Sequence, residues 1–252
     1  MSGAAIPPTN RLLRLPGAVI KIYREPWRAQ TESAALQRLA EARIPAPAVL
    51  GAGRIRGRQL LLLRRLHGPA AGSGEAAARC VVTYLQAVHE LTGPGFGRLH
   101  APAAASWGEY LRERLLSYQG ALARHGLHEA ADTAEALAHS PLPEPATPHL
   151  LHNDPEPGNF LLSPTGTAGL DWELAIYGDP ALDHARTAHA LGLRPARLIR
   201  ILADHGIPHS EETLAAYRSV HLLGRLMSAV TATPPDPAAA QRHARDLTTN
   251  TT

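Results

Sequence analysis

The sequence predicts an α+β protein in two lobes, a small β-rich one over residues 1–67 and a larger, mainly helical one over residues 68–252. Three observations predict it. Short apolar runs separated by turn residues crowd residues 10–66, the pattern of strands and hairpins. Beyond residue 74 the apolar positions recur at helical spacing instead. Between the two lies His67-Gly-Pro-Ala-Ala-Gly-Ser-Gly74, a composition suited to a hinge. With 44% apolar and 19% charged residues, the chain has enough apolar side chains for a sizeable core.

Residues 10–15 and 18–23 flank Pro16-Gly17 and read as a hairpin, with Val19, Lys21 and Tyr23 on one face of its second strand. Residues 31–42 read as a helix that ends before Ile44-Pro45, because a residue preceding proline is pushed out of the α region. Residues 47–55 and 59–66 form a second strand pair around Gly57. The run Leu60 to Leu63 suits a buried central strand, and Arg54, Arg56 and Arg58 suit its solvated face. Helices follow over 75–91, from Ser106 (a capping box with Glu109) and over 128–139. A hairpin over 160–163 and 168–171 crosses Pro164-Thr165-Gly166. Helices resume near 181–191, 195–205 and 210–230, and the tail from Thr231 is either mobile or a short added helix.

Composition excludes several classes. The single cysteine, Cys80, rules out an internal disulfide or a cysteine-based zinc site and fits a reducing compartment. With no membrane-length apolar run and no secretory pattern, the expected location is the cytoplasm, without a membrane partner. Nucleic acid is not an expected partner either, since the arginines are scattered and aromatic residues make up only 4% of the chain. Of the histidines, His125, His128, His184 and His189 tempt a metal reading, but without cysteine or matching carboxylate spacing they read as solvated surface residues.

The charge is uneven. Residues 1–67 hold 12 Lys+Arg against 3 Asp+Glu, a balance of +9, and residues 68–252 hold 13 against 19, a balance of −6. A polyanion near the first lobe and a cation near the second would fit. Of 25 basic residues 24 are arginine; the one lysine is Lys21. Arginine can replace lysine at most solvated positions, but not where a compact ammonium must reach a specific oxygen. Lys21 is therefore a site candidate on its own.

Chemistry concentrates in residues 150–185. Asp154 lies five residues before Asn159, in a loop stiffened by Pro155 and Pro157, and Asp171 closes the next hairpin. Hard oxygen ligands from a loop and a hairpin suit Mg²⁺, which prefers one or two carboxylates plus substrate phosphates. A free carboxylate beside them can instead accept a hydroxyl proton.

His152-x-Asp154-x-x-x-x-Asn159, Leu170-Asp171-Trp172-Glu173 and Gly178-Asp179-Pro180-x-x-Asp183, in this order, resemble the aminoglycoside phosphotransferase and choline kinase family. The resemblance spans about residues 9–190 and implies a protein-kinase-like fold. It also implies an enzyme that moves the γ-phosphate of ATP, or of GTP, to a small-molecule hydroxyl with Mg²⁺. By the same resemblance Asp154 is the catalytic base, and Asn159 and Asp171 hold the metal. Lys21, positioned by Glu32, holds the nucleotide phosphates. Leu63 would be the gatekeeper, the Arg64 carbonyl and Leu66 amide would bind adenine, and Thr9-Asn10 stands at the phosphate loop. His152 and Asp183 would support the catalytic loop.

Glu156, Trp172, Glu173 and Asp179 are acceptor-side candidates, although Trp172 reads more simply as core and Asp179 as a cap before Pro180. The lobe balance and Glu156 favour a cationic, amine-bearing acceptor such as an antibiotic or metabolite. The assembly expected is a monomer or homodimer. The chain departs from the family at Asn153, at Pro155-Glu156 and at Ile6-Pro7-Pro8, where the family has glycines in its phosphate loop. A kinase-like nucleotide-binding or regulatory module with weak catalysis is the alternative. A protein acceptor is disfavoured, because Asp171 to Gly178 is too short a segment to dock a peptide.

Overall fold

The computed structural model describes residues 10–141, 143–163, 166–232 and 234–248. Thr9 and the rest of the expected phosphate loop before Asn10 lie outside them. The small lobe is built from β1 (Asn10–Arg14), β2 (Ala18–Tyr23), α1 (Pro26–Glu41), β3 (Val49–Ile55) and β4 (Arg58–Arg64). Its antiparallel sheet runs β1-β2-β4-β3, so the leucine run of β4 is central, as its composition predicts. Pro16-Gly17 makes the first turn, closed by the Leu15 amide on the Ala18 carbonyl at 2.8 Å.

Two details differ from the sequence reading. Arg56 is not on a strand face; with φ of 48° it shares the β3–β4 turn with Gly57 at 78°. Two successive left-handed residues match the twist of a tight hairpin. The helix α1 begins five residues earlier than its apolar stripe indicates, with Pro26 in its first turn, where the missing N–H costs nothing. Glu32 consequently sits well inside the helix and is 1% exposed, so it is no helix-terminal charge.

The larger lobe contains α2 (Gly74–His89), β5 (Phe96–Arg98), β6 (Ala101–Ala104), α3 (Trp107–Arg124), α4 (His128–His139), β7 (His149–Leu151), β8 (Phe160–Ser163) and β9 (Gly166–Gly169). It continues with β10 (Ile176–Gly178), α5 (Pro180–Ala190), α6 (Pro195–Asp204), α7 (Glu211–Thr231) and α8 (Pro237–Thr248). Ser106 caps α3 by accepting the Glu109 amide at 3.1 Å, while Glu109 reaches back to the Ala105 amide at 2.8 Å. The expected hinge is not free: the Leu162 amide donates to the Pro69 carbonyl at 2.9 Å and the Ala71 amide to Phe160 at 2.8 Å.

The sequence reading missed a four-stranded sheet, β6-β5-β10-β7, inside this lobe. Its strands have three or four residues, too few to show a period of two. The loop that carries Asp154 leaves this sheet from β7, and β10 leads into α5. A side chain at Gly178 would collide with Trp107, so glycine is what lets β10 pass that indole. Below the sheet, the Trp107 indole N–H donates to Tyr217 at 2.8 Å and the Tyr217 hydroxyl to Asp179 at 2.6 Å. Asp179 in turn accepts the Ala181 amide at 2.9 Å and caps α5. No helix among the described residues is long and apolar enough to cross a membrane.

Candidate active site

The loop after β7 is held by one carboxylate. Asp183, fully buried on α5, accepts the backbone N–H groups of His152 and Asn153, each at 2.8 Å, and faces His89 Nε2 at 3.1 Å. Burial alone would push this carboxyl up, but His89, His152 and the Asn153 amide outweigh it and hold the pKa below the usual range. His152 Nε2 meets the Leu170 carbonyl at 2.8 Å, which puts its proton on Nε2 and leaves Nδ1 to accept the Asp154 amide at 3.3 Å. Asn153 takes φ of 65°, a left-handed conformation that asparagine tolerates better than most residues. These contacts aim Asp154. The Asn159 side-chain nitrogen then donates to the Asp154 carbonyl at 2.9 Å and to its Oδ2 at 3.4 Å.

The second strand of the next hairpin ends at Gly169, two residues before Asp171. The Leu170 amide bonds the Asn159 carbonyl at 2.7 Å, tying hairpin to loop. Asp171 adopts φ of 60° and its side chain is 44% exposed. Trp172 is wholly buried; its indole N–H goes to the Gly169 carbonyl at 3.1 Å, and its ring lies 4.4 Å from that of His152. It is a core residue and lines neither of the two cavities that meet at the Asp154 loop.

Lys21 projects from β2 into three carboxylates, at 2.7 Å from Glu32, 2.5 Å from Asp171 and 2.8 Å from Glu173. Burial would lower the pKa of its ammonium; the three anions outweigh burial and raise it. Burial pushes Glu32 up, which its contacts with Lys21 and the Tyr23 hydroxyl (2.6 Å) oppose. Glu173 was expected on the acceptor side, yet it belongs to this cluster. It also pairs with Arg28 at 2.6 Å and accepts the Asn10 side-chain amide. The carboxylate oxygens of Glu32, Asp171 and Glu173 lie within 4.8 Å of one another, close enough to ligate one cation.

Two cavities meet at this loop. A cleft of about 540 Å³ between the lobes is lined by Lys21, Leu63, Arg64, Leu66, Asn159 and Asp171, bringing together most of the expected nucleotide and metal residues. The second cavity, of about 740 Å³, opens on the other side of Asp154. Arg28, Arg98, Arg114, Arg186 and Arg225 line it, against Glu25, Asp154 and Asp236. The −6 balance of the larger lobe therefore does not describe this wall, and the expectation of a cationic acceptor drawn from it has no support here. Glu156 lies half-exposed beside the cavity, 3.7 Å from Arg225. Burial raises its pKa, Asp154 adds to the rise, and Arg225 and Arg186 offset it in part. Asp179 lines neither cavity and serves as the cap.

A family profile described as the phosphotransferase enzyme family matches residues 10–218. The chain belongs to that family. No curated protein matches the sequence. Among solved structures, the fold is similar to a choline/ethanolamine kinase family protein from Mesorhizobium loti, with 20% identity and a TM-score of 0.69 over 96% of this chain and 85% of that one. It is likewise similar to the aminoglycoside phosphotransferase APH(4)-Ia in ternary complex with AMP-PNP and hygromycin B, with 18% identity and a TM-score of 0.69 over 96% and 94%. A macrolide 2′-phosphotransferase from Brachybacterium faecium gives 20% identity and a TM-score of 0.60 over 96% and 93%. At these identities the neighbours establish the bilobal, protein-kinase-like fold.

A phosphotransferase needs a donor site and an acceptor site on either side of the reacting groups. Sequence reasoning missed the arginine-lined wall of the second cavity. Arg28, Arg114 and Arg186 were lost among 24 arginines. One signal was available: Tyr110, Arg114 and Tyr118 fall four residues apart on a single helix face. Another expectation fails nearby, since His184 is fully buried and not a solvated surface residue.

Proposed function

We propose that this phosphotransferase moves the γ-phosphoryl group of ATP, or of GTP, to a hydroxyl of a small molecule, with Mg²⁺ as cofactor. The observation that carries the reading is the position of Asp154. It stands in the acceptor cavity and hydrogen-bonds Asn159, which lines the nucleotide cleft. In this reading residues 1–67 form the nucleotide lobe and residues 68–252 carry the catalytic loop and most of the acceptor site. The start of α1 adds Glu25, Trp27 and Arg28 to that site.

The Asp154 carboxylate accepts the hydrogen of the acceptor hydroxyl. The freed oxygen bonds to the γ-phosphorus as the bond to the β–γ bridging oxygen breaks, and the nucleoside diphosphate leaves. Lys21 steadies the donor phosphates, with Glu32 as its buried anchor. Leu63, Arg64 and Leu66 sit where the nucleobase would lie, and Asn10 stands beside the cluster through Glu173. Asp183 and His152 hold the Asp154 backbone still, which matters because catalysis of this kind is mostly positioning and electrostatics.

The donor set fits Mg²⁺. Asp171 and Asn159 line the cleft; Asp171 is half-exposed, and Asn159 commits its nitrogen to Asp154, leaving its oxygen for a cation. Three clustered carboxylates around one lysine also leave negative charge in excess. When bound there, the ion neutralises charge on the phosphates.

The test is release of nucleoside diphosphate by the wild type and by Asp154→Asn, over a panel of hydroxylated small molecules. Losing the base should cost about 10³-fold in rate, with nucleotide binding retained. Wild-type turnover in the variant would overturn the assignment. A wild type that binds nucleotide and releases no product with any acceptor would favour the binding-module alternative.

A further inference from the structure

The acceptor cavity holds more positive charge than its own carboxylates neutralise. Arg114 gives one N–H from each of its nitrogens to two phenols, Tyr118 at 2.5 and 3.1 Å and Tyr110 at 3.2 Å, which leaves a second N–H on each terminal nitrogen. Arg186 gives one donor to the Asn153 carbonyl, and its Nε is buried with no acceptor. Among the described residues no carboxylate lies within 4.0 Å of either guanidinium.

The acids nearby are already committed. Asp183 and Asp154 reach Arg186 electrostatically at longer range. The first already takes two backbone N–H groups and His89, and the second is the base. Glu25 pairs with Arg28 at 2.8 Å, and Asp236 accepts the Ala239 amide at 2.9 Å at the start of α8. Two imidazoles complete the wall, each with a buried ring nitrogen that has no partner, Nε2 of His221 and Nδ1 of His243.

A guanidinium partly withdrawn from water without a counter-ion is costly, and bidentate pairing with a carboxylate or phosphate is the arrangement it is shaped for; Arg114 and Arg186 are both half-buried. A cationic ligand in this cavity would add like charge to Arg114, Arg186 and Arg225.

We propose that the acceptor is a hydroxylated small molecule carrying an anionic group, a phosphate or a carboxylate, which Arg114 and Arg186 bind while Asp154 faces its hydroxyl. This rests on the kinase reading above and names its substrate class.

The experiment measures binding to the full chain in the presence of Mg²⁺ and AMP-PNP. The probes are ribose 5-phosphate and glycerate (anionic), ribose and glycerol (neutral counterparts), and 2-deoxystreptamine (cationic). Diphosphate release with ATP is followed in parallel. At least one anionic probe should bind tenfold or more tighter than its neutral counterpart. That preference should fall at least tenfold in Arg114→Gln and Arg186→Gln, recover in part in Arg114→Lys, and persist in Asp154→Asn. Melting curves confirm that the variants are folded.

The proposal is overturned if no anionic probe outbinds its counterpart, if 2-deoxystreptamine binds tightest, or if the arginine variants weaken AMP-PNP alone. Failure of the kinase reading looks different. Anionic probes would bind through the arginines, yet none would be phosphorylated.

Discussion

The cleft between the lobes and the cavity beside Asp154 are divided by a single loop and arrange their charges differently, one around a clustered lysine and the other along a wall of arginines. At the cleft, Glu32 and Asp171 of its lining and Glu173 behind them surround the one lysine of the chain. In the cavity, five arginines face three carboxylates. Both linings are net positive, with Arg14, Lys21, Arg64 and Arg65 against Glu32 and Asp171 in the cleft and five arginines against three carboxylates in the cavity, although residues 68–252 carry −6. Net charge describes solvated surface, whereas a site is set by the few charges that packing removes from water. In the proposed reading the cleft takes a cation along with the donor phosphates, and the cavity takes an anionic acceptor. Arg28 joins the two, pairing with Glu173 at 2.6 Å on the cleft side and Glu25 at 2.8 Å on the cavity side.

If the comparison is right, damage to each region moves a different constant. Lys21→Arg should have the largest effect outside Asp154. A planar guanidinium cannot fit among Glu32, Asp171 and Glu173 as a compact ammonium does, so turnover should fall about 10²-fold and nucleotide KM should rise, with acceptor KM nearly unchanged. Steady-state kinetics with each substrate varied checks this, and an effect confined to the acceptor would break the division.

Acidification should come next. Burial, reinforced by His89 and His209 around His184 and by Arg186 and His189 around His221, holds both imidazoles well below their ordinary pKa. The unfolded chain therefore binds protons that the folded one refuses. This stability is complete above about pH 6.5 and is lost as pH falls toward the depressed folded values, at about 1.4 kcal/mol per pH unit for each imidazole. Melting temperature against pH should fall below 6.5, less steeply in His184→Gln; an unchanged slope would remove His184 from the account. Arg28→Gln should have the smallest effect, about 1 kcal/mol of stability, but it should raise the KM of both substrates. A change in one alone would mean that Arg28 does not couple the regions.

The sequence was informative where chemistry forces a residue type at a fixed spacing. Asp154, Asn159, Asp171 and Asp183 fall in a readable order, and the lone lysine marked the cleft. The β1–β2 hairpin, the Ser106 cap and the ends of α4 were likewise legible from turn, cap and apolar spacing. The inner sheet was not, because three-residue strands such as β7 and β10 carry no period and exist through tertiary pairing. Glu173 was misplaced for a related reason. The short turn Trp172–Leu174 swings it toward β2, and only the folded backbone shows that Trp172 points inward while its neighbour meets Lys21. The arginine-lined wall of the cavity beside Asp154 gathers residues from α1, α3, α5 and α7, a convergence that no local pattern encodes.

The most direct test of the two-sided site is thermal melting with ATP and with GTP, with and without Mg²⁺, on the wild type and on Asp171→Asn. Ligand that binds the folded state alone raises the melting temperature by mass action. The account predicts a nucleotide shift in the wild type that grows on adding Mg²⁺, and a variant in which Mg²⁺ adds little. A wild type that ignores nucleotide at millimolar concentration, or an Asp171→Asn variant with the full Mg²⁺-dependent shift, would contradict it.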